Sequence, residues 1–163
     1  MAKTTFTIQN DNTKAVVNKV EKAIYDALDL CGQQAVRNAV INLEHDPRRV
    51  DTGLLRNSIT YAHSGERAAN EKYTANSTHG DTESTKKRGI AGTPVKNQRS
   101  GEYTGTAPDD KVETVYIGTN VEYGLYVHEG TQRMEPNRYL RDAIKGHENE
   151  YETICKQVFS TVK

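Results

Sequence analysis

Apolar residues recur every three or four positions from the second decade of the chain to the fifth: Val16, Val20, Ala23, Ile24, Ala27, Leu28, Cys31, Ala35, Ala39, Val40 and Leu43. That is the period of an amphipathic helix. Asn10-Asp11-Asn12-Thr13 supplies N-cap chemistry at its start, and Pro47 ends it. About 30 residues at 1.5 Å each predict a rod of roughly 45–50 Å. Gly32 is its weak point and a candidate bend. One domain of 163 residues does not fully cover so long a helix, so part of the stripe is expected to face another subunit.

The remaining elements are shorter. Thr5-Phe6-Thr7-Ile8 alternates polar and apolar, so residues 1–12 are read as an N-terminal strand or an arm that pairs with a sheet edge. Residues 57–63 read as a strand, and Val112 to Ile117 as another, closed by Gly118-Thr119-Asn120. Between them, 64–111 is an extended polar loop with almost no large aliphatics. Structureless loops longer than about 15 residues are rare in compact domains, so this one is functional or disordered. Tyr123, Tyr126 and Val127 have helical spacing, with Gly130 as the C′ residue, although a strand is also compatible. From Pro136-Asn137 a last helix carries Leu140, Ile144, His147, Tyr151, Ile154 and Val158 at alternating steps of four and three, a narrow stripe suited to packing along the first helix or a partner helix. The predicted class is α+β: a single domain, 1–163, with a long N-terminal helix and a C-terminal helix packed on a small, mostly antiparallel sheet.

Composition changes this picture in one respect. Apolar residues make up 34% of the chain and aromatics 7%, with no Trp, and the mean hydropathy is −0.82. That is low for a domain that completes its own core, which again points to burial against other copies or partners. Lys+Arg and Asp+Glu balance at 22 each, so no whole-molecule field draws in nucleic acid or acidic membrane. The local order of charge is more informative. Lys86, Lys87, Arg88, Lys96 and Arg99 form a basic run without an acid, followed by Glu102, Asp109 and Asp110. The run carries no interleaved aromatics for base stacking, but a few cations suffice for weak, salt-sensitive contact with DNA phosphates. Pairing of the basic block with the acidic block of a neighbour is a heterologous contact that closes into rings. Cys31 and Cys155 lack metal or redox spacing and read as small buried hydrophobes in a reducing compartment. The N-terminus has no apolar run of signal-peptide length, and no stretch approaches a membrane span, so a soluble cytosolic product is expected.

Chemistry centres on Arg48-Arg49-Val50-Asp51-Thr52-Gly53-Leu54-Leu55-Arg56-Asn57-Ser58-Ile59. Asp-Thr-Gly is the triplet of an aspartic protease, which needs two such loops so that one carboxylate is charged and its partner protonated. One triplet per chain would serve only in a homodimer. Here two arginines precede it, where a protease would need an apolar strand, and Leu54 follows where those enzymes resemble one another in carrying Ala or Ser. The simpler reading is a helix-to-strand corner: Asp51 or Thr52 caps a single turn through Leu54-Leu55-Arg56, Gly53 relieves crowding, and both leucines enter the core. Neither His128-Glu129 nor His147-Glu148 has the i, i+4 partner of a zinc helix. No metal, cofactor or catalytic residue is expected.

Four blocks, in order, resemble the neck or tail-component proteins of long-tailed bacteriophages: Asp51 to Ile59, Val115 to Tyr123, Tyr126 to Thr131, and Pro136 to Ala143. The resemblance covers about residues 45–145. It implies a non-enzymatic head–tail connector or tail-completion protein of the virion, assembled in the host cytoplasm. Such proteins form a ring, six- or twelve-fold, around the channel through which DNA passes. They contact an adaptor or stopper on the head side and a tail-terminator or tail-tube protein on the other. In that setting Asp51, Thr52, Gly53, Leu54 and Arg56 make the corner. Gly118, Tyr123, Tyr126 and Gly130 shape a second packing element, and the segment 64–111 is an added arm or clamp. The alternatives are a homodimeric aspartic protease using Asp51 and a DNA-binding accessory protein.

Overall fold

The structure is a computed structural model that describes residues 11–45, 53–75 and 99–162. Helix α1 runs from Thr13 to Glu44 without interruption. Its first turn is capped by Asp11, whose Oδ1 accepts the Thr13 amide at 3.0 Å. The face it buries is built of small residues, Ala23, Ala27, Gly32, Ala35 and Ala39, closing on Leu43. Small side chains let neighbouring elements approach the helix backbone closely, and Gly32 is the clearest case. A methyl group there would lie 2.5 Å from Tyr61 Cδ2 and 2.8 Å from Cγ. The glycine therefore marks the place where a tyrosine ring lies on the helix, and the expected bend is absent.

After α1 comes the one-turn helix α2, Leu54–Ser58, and then strand β1, Thr60–His63. Strands β2, Lys72–Ala75, and β3, Arg99–Glu102, follow, then β4, Val115–Gly118. Helices α3, Tyr123–Glu129, α4, Tyr139–Lys145, and α5, Glu148–Ser160, complete the chain. β1 pairs with β4 antiparallel, from Thr60 opposite Gly118 to His63 opposite Val115. β2 pairs with β3 antiparallel, from Lys72 opposite Glu102 to Ala75 opposite Arg99. The fold is α+β, with long N-terminal and C-terminal helices around small antiparallel sheets, as the sequence pattern predicts.

Four expectations change, and the first is the strand read at 57–63: Asn57 and Ser58 belong to α2, and β1 begins only at Thr60. The segment 64–111 is not wholly loop, because β2 and β3 lie within it. Its strands are four residues each, with Tyr73 and Ala75 in β2 and no apolar or aromatic residue in β3, too little for a periodic signal. The strand expected at 112–117 begins at Val115, and Val112 is exposed. The single last helix is two, because the chain turns at Gly146 and His147. There the His147 amide bonds back to Ile144 O, and the Ala143 carbonyl takes the Tyr151 hydroxyl at 2.6 Å. A helix end leaves carbonyls without partners, and this tyrosine satisfies one of them. Glu148 and Glu150 in the first turn of α5 suit the positive end of the helix dipole.

The core lies under the C-terminal half of α1. Ala39, Leu43, Leu55, Ile59, Val127, Tyr139 and Ala143 form it, drawn from α1, α2, α3, α4 and the start of β1. Each large apolar side chain fully buried there contributes about 1.5–3 kcal/mol. Helix α5 stands apart, since none of its residues is fully buried. It meets α1 through a half-buried stripe of Tyr151, Ile154, Cys155 and Val158, flanked by polar contacts in which Asn38 Nδ2 and Gln34 Nε2 donate to Glu150 Oε2 at 3.1 and 3.2 Å.

Candidate functional site

The corner at residues 53–58 can be built from its atoms. Gly53 has φ 77°, in the left-handed region, and precedes α2 directly. Leu55 points into the core, Leu54 is half-buried, and Arg56 Nη1 reaches back to Glu44 Oε1 at 2.9 Å, tying α2 to the end of α1. The Leu55 amide donates to the Tyr123 hydroxyl at 3.1 Å. Ser58 Oγ donates to Leu55 O at 2.7 Å and lies 2.6 Å from Thr119 Oγ1. Asp51 and Thr52, the expected caps and the protease-like residues, lie outside the described residues.

The second and fourth blocks meet this corner. Gly124 sits so close that a methyl there would lie 2.9 Å from Thr119 Cγ2, 3.0 Å from Leu55 Cδ1 and 3.1 Å from Tyr139 Oη. Gly130 caps α3 with φ 80°, and a methyl on it would lie 2.8 Å from Met134 O and from Pro136 N. This is the C′ role read from the sequence. Asn137 N donates to Val127 O, while Asn137 and Asn42 exchange side-chain hydrogen bonds with the Asn42 and Tyr139 carbonyls. The His128 ring stands edge-on to Tyr139, centroids 5.4 Å apart. The blocks thus converge on one packed junction, and Tyr123, Gly124 and Gly130 are structural within it. Two residues expected in this element do not belong to it. Tyr126 projects into solvent, and Gly118 pairs with Thr60 at the end of β4 with open space where a side chain would be.

Lys86, Lys87, Arg88 and Lys96 lie outside the described residues, and Arg99 opens β3 opposite Ala75. Asp109 and Asp110 are exposed, and Asp110 is already engaged within the chain. Asp110 accepts the Tyr116 hydroxyl, and its amide donates to Ser64 Oγ at 2.6 Å. Asp109 flanks Gly65, whose amide bonds to Pro108 O. These two acids close the turn after β1.

Several organising residues escaped the sequence reading. Tyr103 donates its hydroxyl to Ser58 O and accepts the Asn120 amide, while Tyr73 donates to Asn120 Oδ1 at 2.6 Å. Together they fasten the β2–β3 ribbon to the corner and to β4. Buried His63 is stacked on Tyr25, centroids 4.1 Å apart, and its Nε2 is 3.5 Å from Asp29 Oδ1. Asp29 also accepts the Tyr61 hydroxyl at 2.7 Å and the Gln33 amide at 2.8 Å. Burial pushes the Asp29 carboxyl up, but these hydrogen bonds and His63 outweigh it and hold the group below its ordinary range. Little local pattern marks such residues, because their long-range partners are 32 to 47 positions away.

The surface most open to a partner is the first third of α1. The stripe that α1 buries at Ala23 and Ala27 continues at the same helical spacing through Val20 and Val16, which are 39% and 56% exposed. Residues 11–22 are exposed throughout. Further along, Leu30 lines a groove between α1 and α5 with Ile154 and Val158. Among the described residues no cluster of His, Cys, Asp and Glu could hold a metal ion, and no helix is long and apolar enough to cross a membrane.

No family profile, curated protein or solved structure matches the chain.

Proposed function

We propose that this chain is a structural protein of a bacteriophage virion, one subunit of a ring at the head–tail junction through which DNA passes. The structural observation that supports association of subunits is the exposed continuation of the α1 stripe. Val16 and Val20 hold positions that the same helix buries one and two turns later. Exposing two valines at helical register on a projecting helix is costly unless another surface covers them, at about 25 cal/mol per Å² of apolar area. Half-buried α5 and the groove beside Leu30 offer a second surface for such burial. The family-like blocks support the same reading, since they meet in one rigid junction from which α1 projects. The ring and its place in the virion come from the resemblance, and the stripe supports only that subunits associate.

The test is assembly. Purified protein should form a closed oligomer by light scattering and negative-stain imaging, alone or when mixed with tailless heads. The double variant Val16→Lys/Val20→Lys should keep the wild-type circular dichroism and melting temperature while losing assembly. A wild-type chain that stays monomeric in both settings would refute the reading, as would a double variant that assembles normally.

A further inference from the structure

Cys31 on α1 and Cys155 on α5 are 124 residues apart in sequence, yet their sulfurs face each other at 4.0 Å. Both are free thiols and partly buried. They share one wall of an apolar pocket of about 300 Å³ whose other sides include Leu28, Val115, Ile117 and Ile144. Neither thiol takes part in the junction of the sequence blocks, and the Cys31 Sγ lies 3.9 Å from the Tyr151 carbonyl. Read alone, each cysteine is a small hydrophobe. Together they form a dithiol spanning the interface between the first and last helices.

We propose that Cys31 and Cys155 are a site of disulfide formation that staples α5 to α1 under oxidising conditions. The oxidant is a low-molecular-weight disulfide such as oxidised glutathione. One cysteine thiolate attacks it, releasing one glutathione thiol and leaving a mixed disulfide. The second cysteine then displaces the remaining glutathione, so two protein thiols are oxidised, two glutathione thiols are formed, and the protons leave with them. The sulfurs must close to about 2 Å. Helix α5 can supply that movement, because it carries no fully buried residue. Burial, reinforced by the neighbouring Cys155, pushes the Cys31 thiol up to about 11. Its thiolate is therefore scarce at neutral pH, and closure through Cys31 speeds up about tenfold per pH unit on the way to that value. Because the cross-link closes most of the chain into a loop, it restricts the unfolded state and stabilises the folded one.

The inference does not depend on the assembly reading, and its test uses the free protein. Full-length chain is equilibrated with excess oxidised glutathione, or with dithiothreitol, and analysed by intact mass and thiol titration under denaturing, non-reducing conditions. The expected product is a monomer lighter by about 2 Da with both thiols lost. Its melting temperature should rise by about 5 °C or more, and dithiothreitol should reverse the change. Cys31→Ser and Cys155→Ser should each stop at a single glutathione adduct with no gain in melting temperature. Both thiols still titratable after equilibration would overturn the proposal. So would products limited to glutathione adducts or intermolecular dimers in the unsubstituted protein, or a disulfide that leaves the melting temperature unchanged.

Discussion

Replacing Gly32 by Ala sets two effects of known size against each other. In an exposed helix interior, Ala is about 0.8–1 kcal/mol more favourable than Gly, so the change should stabilise. At this position the new methyl would lie 2.5, 2.8 and 3.0 Å from Tyr61 Cδ2, Cγ and Cε2. Cδ2 and Cγ belong to the near side of a ring whose far end is anchored by the Tyr61–Asp29 hydrogen bond at 2.7 Å, so the ring cannot swing aside without losing that bond. Overpacking of this kind costs about 1–3 kcal/mol, and a hydrogen bond to a charged acceptor adds about 1.5–3 kcal/mol if it breaks. The steric and polar costs exceed the helix gain. We expect Gly32→Ala to destabilise by about 0–2 kcal/mol if the hydrogen bond survives and about 1.5–5 kcal/mol if it breaks, lowering a urea midpoint by about 1 M at the middle of that range for a typical slope. In a Tyr61→Ala background the same substitution should instead stabilise by about 0.8 kcal/mol, because only helix propensity remains. Equilibrium urea unfolding of the four proteins of this cycle measures both signs. Stabilisation by Gly32→Ala with Tyr61 in place would show that the ring does not lie on the helix backbone.

Two further outcomes follow from the junction and from the half-buried Asp29 carboxylate. Leu55→Ala removes a core side chain that touches the Gly124 position, and should cost about 2–5 kcal/mol, or about 5–15 °C in melting temperature. Leu125→Ala, at a position 64% exposed, should stay within about 0.5 kcal/mol. Equal losses at the two positions, by thermal unfolding, would contradict the assignment of the core. The Asp29 carboxyl is held below its ordinary value of 3.8, so its folded pKa is depressed. Its contribution is present above the unfolded value and is lost as pH falls through the folded one. Asp29→Asn should therefore lower stability at neutral pH by about 1 kcal/mol and flatten the stability profile below about pH 4. Parallel profiles for the two proteins, from denaturant titrations at stepped pH, would remove Asp29 from that role.

The sequence by itself determined what depends on near neighbours. The period from Val16 to Leu43 is enough for α1, because an amphipathic stripe is a property of one helix. Gly130 was legible as a C′ residue because a left-handed end to α3 is a local demand. The one-turn helix at Leu54–Ser58 was legible too, since Gly53 and the two leucines carry the corner in a few residues. Tertiary structure decided the rest. Gly32 reads as a weak helix position until Tyr61 is placed over it, and Cys31 reads as a core residue until Cys155 arrives. β2 and β3 escaped notice because each is only four residues long. β2 buries just Tyr73 and Ala75, β3 carries no apolar residue, and the side-chain hydrogen bonds of Tyr73, Tyr103 and Asn120 complete their hold. The last stripe looked like one helix because Gly146 is only a modest breaker. Its turn is completed by the Tyr151 hydroxyl on the Ala143 carbonyl, a contact that exists only once α5 has folded back. Periodicity records which face an element hides, whereas close approach and hydrogen-bond partners depend on which distant segment comes to cover it.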